Sequence, residues 1–280
     1  MIRTIEHLCK VVLRVNEKQL HEIIKNIDNF YYTKLEEKYD KKTGLLKMNK
    51  DGTPRYRVIN PSTGLLKILQ KRISTFLSMN ISFPEYAYGG IKKKDNVLNA
   101  KKHQGKKYVF LTDMQDFFPF ITCKMVYSEF VRLHFSSDVA SVLTKLTTYK
   151  GHLPQGASTS SIIANLVFIP TGNKIKEFAQ THDLTFTTFV DDITLSSAID
   201  FKDKTNQIIE IIYNGGFKIS HKKTHYKSGK VDITGVKRCN NHITITDKFR
   251  EKLQNIPENE PLVKQGGTGY KNRIHRTNKK

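Results

Sequence analysis

The sequence predicts an α+β protein. Hydrophobic residues make up 38% of its 280 residues, enough for a sizeable core. Stretches rich in β-formers alternate with stretches of helical periodicity through the middle two-thirds. No fixed-period repeat points to a solenoid. The order expected there is strand, helices, strand pair, helix, strand pair.

The first ~35 residues read as helix, because Leu13, Leu20, Ile23, Ile24 and Ile27 recur at helical spacing. "EEKYDKKTGLLKMNKDGTPRYRVINPS" is polar with a Lys-Asp-Gly turn signal, and reads as a β-hairpin or mobile loop. "LLKILQKRISTFL" returns to helix, with Leu66, Leu69, Ile73, Phe76 and Leu77 on one face. "KKYVFLTDMQDFF" opens with β-formers and reads as a buried strand ending in acids. "MVYSEFVRLHF" and "SSDVASVLTKLTTY" read as helices, and "SIIANLVFI" as an apolar helix after a "HLPQGAST" loop. A strand pair surrounds Asp191-Asp192. "DKTNQIIEIIYNGG" is an amphipathic helix stopped by Gly215-Gly216. "KVDITGVKRCNNHITIT" reads as a hairpin turning at Asn240-Asn241, and "DKFREKLQNI" as a further helix. The closing "PLVKQGGTGYKNRIHRTNKK" has six Lys/Arg and no acid, and reads as a basic tail.

Composition narrows the partners. Lys plus Arg number 47 against 26 acids, a formal charge of +21. Such a surplus favours nucleic acid first and an acidic membrane surface second. No apolar run approaches the ~20 residues that span a bilayer, and charges interrupt "MIRTIEHLCKVVLRV" too often for a secretory signal. Cys9, Cys123 and Cys239 lie far apart without CxxC spacing. They fit small residues in a reducing cytoplasm, and not a disulfide framework or zinc ribbon.

The chemistry-bearing candidates are acids. Asp113 closes the first predicted strand, and Asp191-Asp192 sit at a hairpin tip. An Asp pair at a tip is more often turn chemistry. If neighbouring strands of one sheet bring all three together, they repel unless divalent cations intervene, and oxygen-only ligands suit Mg²⁺ or Mn²⁺. Gly156 in "LPQGAST" lets backbone approach a ligand, though glycine before Ser-Thr is also an ordinary helix entry. The lysines of "GGIKKKDNVLNAKKHQGKK" and "KISHKKTHYKSGK" are either solvated faces or a nucleic-acid track, with Tyr86, Tyr88, Tyr108 and Tyr226 available for stacking.

Taken in order, over roughly residues 50 to 250, these pieces resemble a reverse transcriptase, most of all the bacterial retron type or a closely related defence-associated one. "LTDMQDFFPFI" resembles the first catalytic motif, which makes Asp113 a metal ligand and Phe118 a steric gate against a ribose 2′-OH. "LPQGASTSSIIANL" resembles LPQGxPTSPxLANL, with Ser158 and Ser161 where prolines are common; Gln155 and Gly156 then shape the nucleotide pocket. "FVDD" resembles the tyrosine-x-Asp-Asp box, with Phe189 for tyrosine. "PRYRVINPS" resembles the fingers motif that grips a triphosphate, through Arg57 and then Arg55. "GGFKISHKKT" resembles the palm motif whose lysine protonates pyrophosphate, here Lys223 with Lys222 as the alternative. "NAKKH" matches the retron NAxxH signature (Asn99, His103), and "ITGV" resembles its VTG signature (Thr234, Gly235), a region that in the family helps recognise the partner RNA. At i, i+4, Asn99 and His103 share one helix face.

The resemblance implies a right-hand polymerase with fingers at 1–110, a palm at 111–246, and a short thumb remnant with basic tail at 247–280, the thumb being reduced or absent. It implies an RNA-directed DNA polymerase that copies a noncoding RNA into single-stranded DNA for phage defence. Asp113, Asp191 and Asp192 would hold two Mg²⁺, with Mn²⁺ as a substitute. The implied partners are the RNA template, the DNA product, deoxynucleoside triphosphates and an effector protein, with no membrane. Two other readings stand beside it: a non-retron defence enzyme with another template or none, and a catalytically silent nucleic-acid-binding subunit. The intact acids argue against the second, since a binding module gains nothing from their repulsion.

Overall fold

A computed structural model describes residues 2–39, 44–49, 51–257 and 259–279. They form two compact units, each assembled from separate stretches of chain: Met1–Ser82 with Asp116–Val167, and Phe83–Gln115 with Phe168–Lys280. The segments expected from the sequence are contiguous, and these units are not.

In the first unit the N-terminal helix is broken. It runs as Ile5–His7, a widened turn Leu8–Leu13, the helix Glu17–Lys25 and a tight turn Ile27–Phe30. Arg14 takes a left-handed backbone (φ 52°). Asn16 then opens a new helix with a reciprocal cap: its Oδ1 accepts from the Gln19 N–H at 2.8 Å, and Gln19 Oε1 accepts from the Asn16 N–H at 3.1 Å. The polar stretch that follows is a hairpin at its base. Strands β1 (Lys34–Glu37) and β2 (Tyr56–Ile59) pair antiparallel, Lys34 opposite Ile59 and Glu36 opposite Arg57. Residues 40–43 and 50 of that stretch lie outside the described residues.

The helix Gly64–Asn80 buries Leu66, Leu69, Ile73 and Leu77, as its periodicity predicts. Gln70 lies on the same stripe and is equally buried. It is tolerated because its amide is fully used. Nε2 donates to Tyr31 OH (2.8 Å) and to the Leu146 carbonyl (2.9 Å), and Oε1 accepts from Ser62 Oγ (2.6 Å). One side chain thereby ties the hairpin base to the helices Gly64–Asn80 and Ser137–Thr147. The helices Cys123–Arg132 and Ser137–Thr147 begin where the sequence supplies capping hydroxyls, Thr122 and Ser136.

The second unit carries two sheets. Strands β3 (Tyr108–Asp113), β4 (Thr185–Phe189), β5 (Asp192–Ser197) and β6 (His225–Ser228) form one antiparallel sheet in the order β4-β5-β3-β6. The helix Thr205–Asn214 stops at the expected glycines, Gly216 being left-handed (φ 87°) with its N–H on the Tyr213 carbonyl. Strands β7 (Val231–Ile233), β8 (Val236–Arg238) and β9 (Ile243–Ile245) form the other sheet. The expected hairpin at Asn240-Asn241 therefore has a third strand. The extra turn is Thr234-Gly235, both at positive φ (46° and 83°), between the paired Ile233 and Val236. Its strands are too short to register as alternation.

The stretch expected as a basic tail is instead the helix Pro261–Asn278. Three glycines inside a helix cost about 1 kcal/mol each relative to alanine, so packing must hold it. Ile274 is fully buried with Val97, Ala100, Val109 and the β7–β9 apolar residues, and the Tyr270 ring meets Phe249 at 5.3 Å. Gly267 lies so close to the helix Asp247–Gln254 that a Cβ would stand 2.6 Å from Leu253 Cδ1. Among the described residues no helix is long and apolar enough to cross a membrane.

Gln70→Leu preserves volume but strands the Tyr31 hydroxyl and the Leu146 carbonyl. The expected loss is about 2–3 kcal/mol of unfolding free energy, read as a lower urea midpoint by circular dichroism.

Candidate active site

The acidic residues meet because of strand register. β3 and β5 are neighbours, and Asp113, the last residue of β3, stands directly opposite Asp192, the first of β5. The β4–β5 turn has two residues, Val190 and Asp191, between the paired Phe189 and Asp192. Backbone hydrogen bonds fix this geometry. The Met114 N–H donates to the Asp191 carbonyl (2.9 Å), the Ser220 N–H to the Asp113 carbonyl (2.8 Å) and the Gln115 N–H to the Lys218 carbonyl (2.8 Å). Carboxylate oxygens of Asp113, Asp191 and Asp192, one from each, lie within 4.8 Å of one another. Asp113 is buried, and the pair at the tip is half-buried.

Like charges opposite each other on adjacent strands are destabilising. Lys223 supplies one counter-charge, its Nζ donating to Asp113 Oδ2 at 2.6 Å. The tight turn His221–Lys223 carries it, and the next residue is pinned to β3 by Thr224 Oγ1 on Thr112 Oγ1 (2.8 Å). Lys222, the alternative, is exposed and makes no ion pair among the described residues. Three converging carboxylates, two of them accessible, form an all-oxygen donor set that fits a hard divalent cation.

In the first unit the structure joins two of the predicted stretches. Gly156 is left-handed (φ 99°), and a Cβ there would stand 2.6 Å from Ile59 Cγ2. The Asn60 N–H donates to the Gln155 carbonyl at 2.8 Å. The "LPQG" loop is thus seated on the end of β2, two residues beyond the exposed Arg57 and four beyond the exposed Arg55. Glu36, opposite Arg57, has its carboxyl held low by Lys34 first and by Arg57 in smaller part. Phe118 is half-buried in the short helix Phe117–Phe120, its ring 5.8 Å from that of Phe117.

Residues 40–238 match the family described as reverse transcriptase (RNA-dependent DNA polymerase). The chain belongs to the reverse transcriptase family. It is 30% identical over 236 residues to the retron Se72 reverse transcriptase of Salmonella heidelberg, covering 80% of this chain and 59% of that one. It is 33% identical over 172 residues to the retron Ec86 reverse transcriptase of Escherichia coli, covering 61% and 54%. Within the family its likeness is therefore to the bacterial retron type. The chain spans little more than half the length of these curated relatives. The fold is that of a right-hand polymerase: a solved telomerase from Candida albicans superposes with a TM-score of 0.52 at 11% identity, over 82% of this chain and 51% of that one.

In this reverse transcriptase-family chain the two residues of the NAxxH signature face inward. Asn99 and His103 were expected at the RNA, yet both are fully buried and hydrogen-bond inward. They do share a helix face, on Asn96–Lys102 and its cap, but the face is the inner one. Asn99 Nδ2 donates to Thr234 Oγ1 (3.1 Å), and Asn96 Nδ2 to the Thr234 carbonyl (3.0 Å). His103 bridges two strands, Nδ1 meeting Ser196 Oγ on β5 and Nε2 meeting Thr187 Oγ1 on β4, both at 2.7 Å. The two retron signatures are thus partners of each other. Thr234 is half-buried, and Gly235 is the exposed member of the four. The sequence gives no sign of the Met114 and Ser220 amides, since backbone contacts leave no side-chain pattern.

Burial, with a smaller push from Arg238, drives the His103 pKa down to about 3. The unfolded chain then binds a proton that the native one refuses. Stability from this residue is complete above pH ~6.5 and falls on acidification, by up to about 1.4 kcal/mol per pH unit. Between pH 7.5 and pH 5 that amounts to about 2 kcal/mol, measured by urea unfolding. His103→Gln lacks this component, so its stability should fall less over the same range.

Proposed function

We propose that the chain is an RNA-directed DNA polymerase that copies a noncoding RNA into single-stranded DNA, in antiphage defence. The observation that carries the reading is the Asp113–Asp191–Asp192 cluster on register-locked strands of a reverse transcriptase-family chain. The retron relatives support the choice of template and product class. In functional terms residues 1–110 are the fingers, 111–246 the palm, and 247–280 a short thumb remnant, formed of two helices.

The reaction is nucleotidyl transfer. A primer hydroxyl gives up its proton to solvent as its oxygen bonds to the α-phosphorus of a deoxynucleoside triphosphate, and the bond to the bridging oxygen breaks to release pyrophosphate. Two Mg²⁺ ions, or Mn²⁺ in their place, would supply charge neutralisation at the attacking and leaving oxygens. Asp113 and Asp191 would hold them, with Asp192 completing the cluster. Lys223 gives a proton from Nζ to the leaving pyrophosphate. Arg57, then Arg55, bind the triphosphate. Gln155 and Gly156 shape the pocket, and Phe118 excludes a 2′-OH. RNA recognition at the β7–β8 turn falls to Thr234 and Gly235, braced from beneath by Asn99. An effector protein and a cytoplasmic setting complete the reading.

Incorporation of labelled deoxynucleotides on a primed RNA template tests it, with the co-purifying RNA present. Wild type should incorporate only with Mg²⁺ or Mn²⁺. Asp191→Asn should lose at least a thousandfold in rate while still retaining RNA in a filter-binding assay. A wild type without activity, or an active Asp191→Asn, would refute the assignment.

A further inference from the structure

The carboxylate-bearing turn is strained and is held from outside its own sheet. Val190 opens the two-residue turn at φ 59°, a left-handed backbone that β-branched residues rarely adopt. Against it lies Gly89. A Cβ on Gly89 would stand 2.5 Å from Val190 N, 2.6 Å from Val190 Cγ2 and 2.8 Å from the Phe189 carbonyl carbon. Unlike Gly90, Gly89 does not have a left-handed φ, so steric closeness demands glycine here and backbone conformation does not.

The segment carrying Gly89 is itself anchored. The Thr188 N–H donates to the Tyr86 carbonyl and the Tyr88 N–H to the Thr188 carbonyl, both at 2.8 Å, so residues 86–88 run as a parallel edge beside β4. The Tyr86 ring lies 4.8 Å from Phe186, and its hydroxyl donates to Asn173 Oδ1 (3.0 Å) and less closely to the Ile169 carbonyl (3.3 Å). Lys94 gathers the turn. Its Nζ donates to the carbonyls of Glu85 (2.7 Å), Ala87 (2.9 Å) and Pro84 (3.3 Å), and lies 4.9 Å from the Tyr88 ring centroid. Desolvation lowers the pKa of this ammonium, as befits a cation doing structural work inside the fold.

We propose that Pro84–Lys94 is a brace that holds Val190 in its strained conformation, with Gly89 as the positioning residue that sets where the Asp191 and Asp192 carboxylates stand. This rests on the reading of those carboxylates as a metal site. On the far side the Met114 N–H grips the Asp191 carbonyl, so the tip is clamped between β3 and the brace. A methyl group at residue 89 must push the tip away, and the carboxylates must move with it.

The test is Gly89→Ala and, separately, Lys94→Met, which removes the ammonium that gathers the brace and leaves the turn itself unaltered. Mn²⁺ binding is followed by electron paramagnetic resonance, folding by circular dichroism, and Mg²⁺ dependence by primer extension. Gly89→Ala should weaken Mn²⁺ binding at least tenfold and raise the half-saturating Mg²⁺ concentration to match, with RNA retention unchanged. Lys94→Met should weaken Mn²⁺ binding in the same direction by a smaller factor. Wild-type Mn²⁺ affinity in Gly89→Ala would overturn the brace. If Gly89→Ala does not fold, Lys94→Met decides: weakened Mn²⁺ binding in a folded protein supports the proposal, and wild-type affinity overturns it. The Mn²⁺ readout needs no turnover. A wild type that binds Mn²⁺ but does not polymerise would sink the polymerase reading and leave the brace standing.

Discussion

Asp113 stands opposite Asp192 on adjacent antiparallel strands, and much of the second unit serves that juxtaposition. The pairing is unfavourable taken alone, because two carboxylates at cross-strand distance repel. It persists because the register is over-determined. β5 is buried along most of its length between β4 and β3, so a one-residue slip would turn its buried side chains to the opposite faces. The amides of Met114 and Ser220 then lock the two backbones at the acids themselves. Strain and repulsion are thus concentrated at one turn and compensated around it.

The compensation extends away from the acids. His103 spans β4 and β5 beneath the site and stays neutral through burial, while Asn99 on the same helix fastens the Thr234-Gly235 turn. One short helix therefore ties the acid-bearing sheet to the three-stranded sheet, and the helix Pro261–Asn278 closes over the same core through Ile274. In the first unit Gln70 plays the comparable part, fastening the base of the β1–β2 hairpin, the end that also seats the Gly156 loop. Both units rely on a buried polar residue with every strong hydrogen-bonding group of its side-chain head engaged or nearly so.

The sequence made the acids legible because strand propensity and charge coincide there. "YVFLTD" is a run of β-formers ending in Asp113, and "FTTFVDDITLSS" flanks its acids with β-branched residues on both sides. The α+β class was legible for the same reason, whereas the adjacency of the two acid-bearing strands was a condition of the reading that only the sheet order supplies. What side a residue faces was not. The i, i+4 spacing of Asn99 and His103 puts them on one face but cannot say whether that face meets solvent or core. Lys94 sits in a run of three lysines and looks solvated, yet three carbonyls hold it. Pro261–Asn278 reads as tail because its glycines and cations oppose helix formation, and only tertiary burial of Ile274 and Tyr270 reverses that. Gly89 offers no side chain to follow, so its closeness to Val190 emerges only in three dimensions.

The central claim is that the opposed carboxylates form a divalent-cation site whose occupation relieves their repulsion. Thermal unfolding of wild type and Asp113→Asn across a Mn²⁺ titration tests it most directly. Binding to the native state alone should stabilise wild type by about 2.7 kcal/mol at a hundredfold excess over Kd, seen as a saturable rise in Tm, with little or no rise for Asp113→Asn. An unresponsive wild type, or an equal rise in both proteins, would contradict the account.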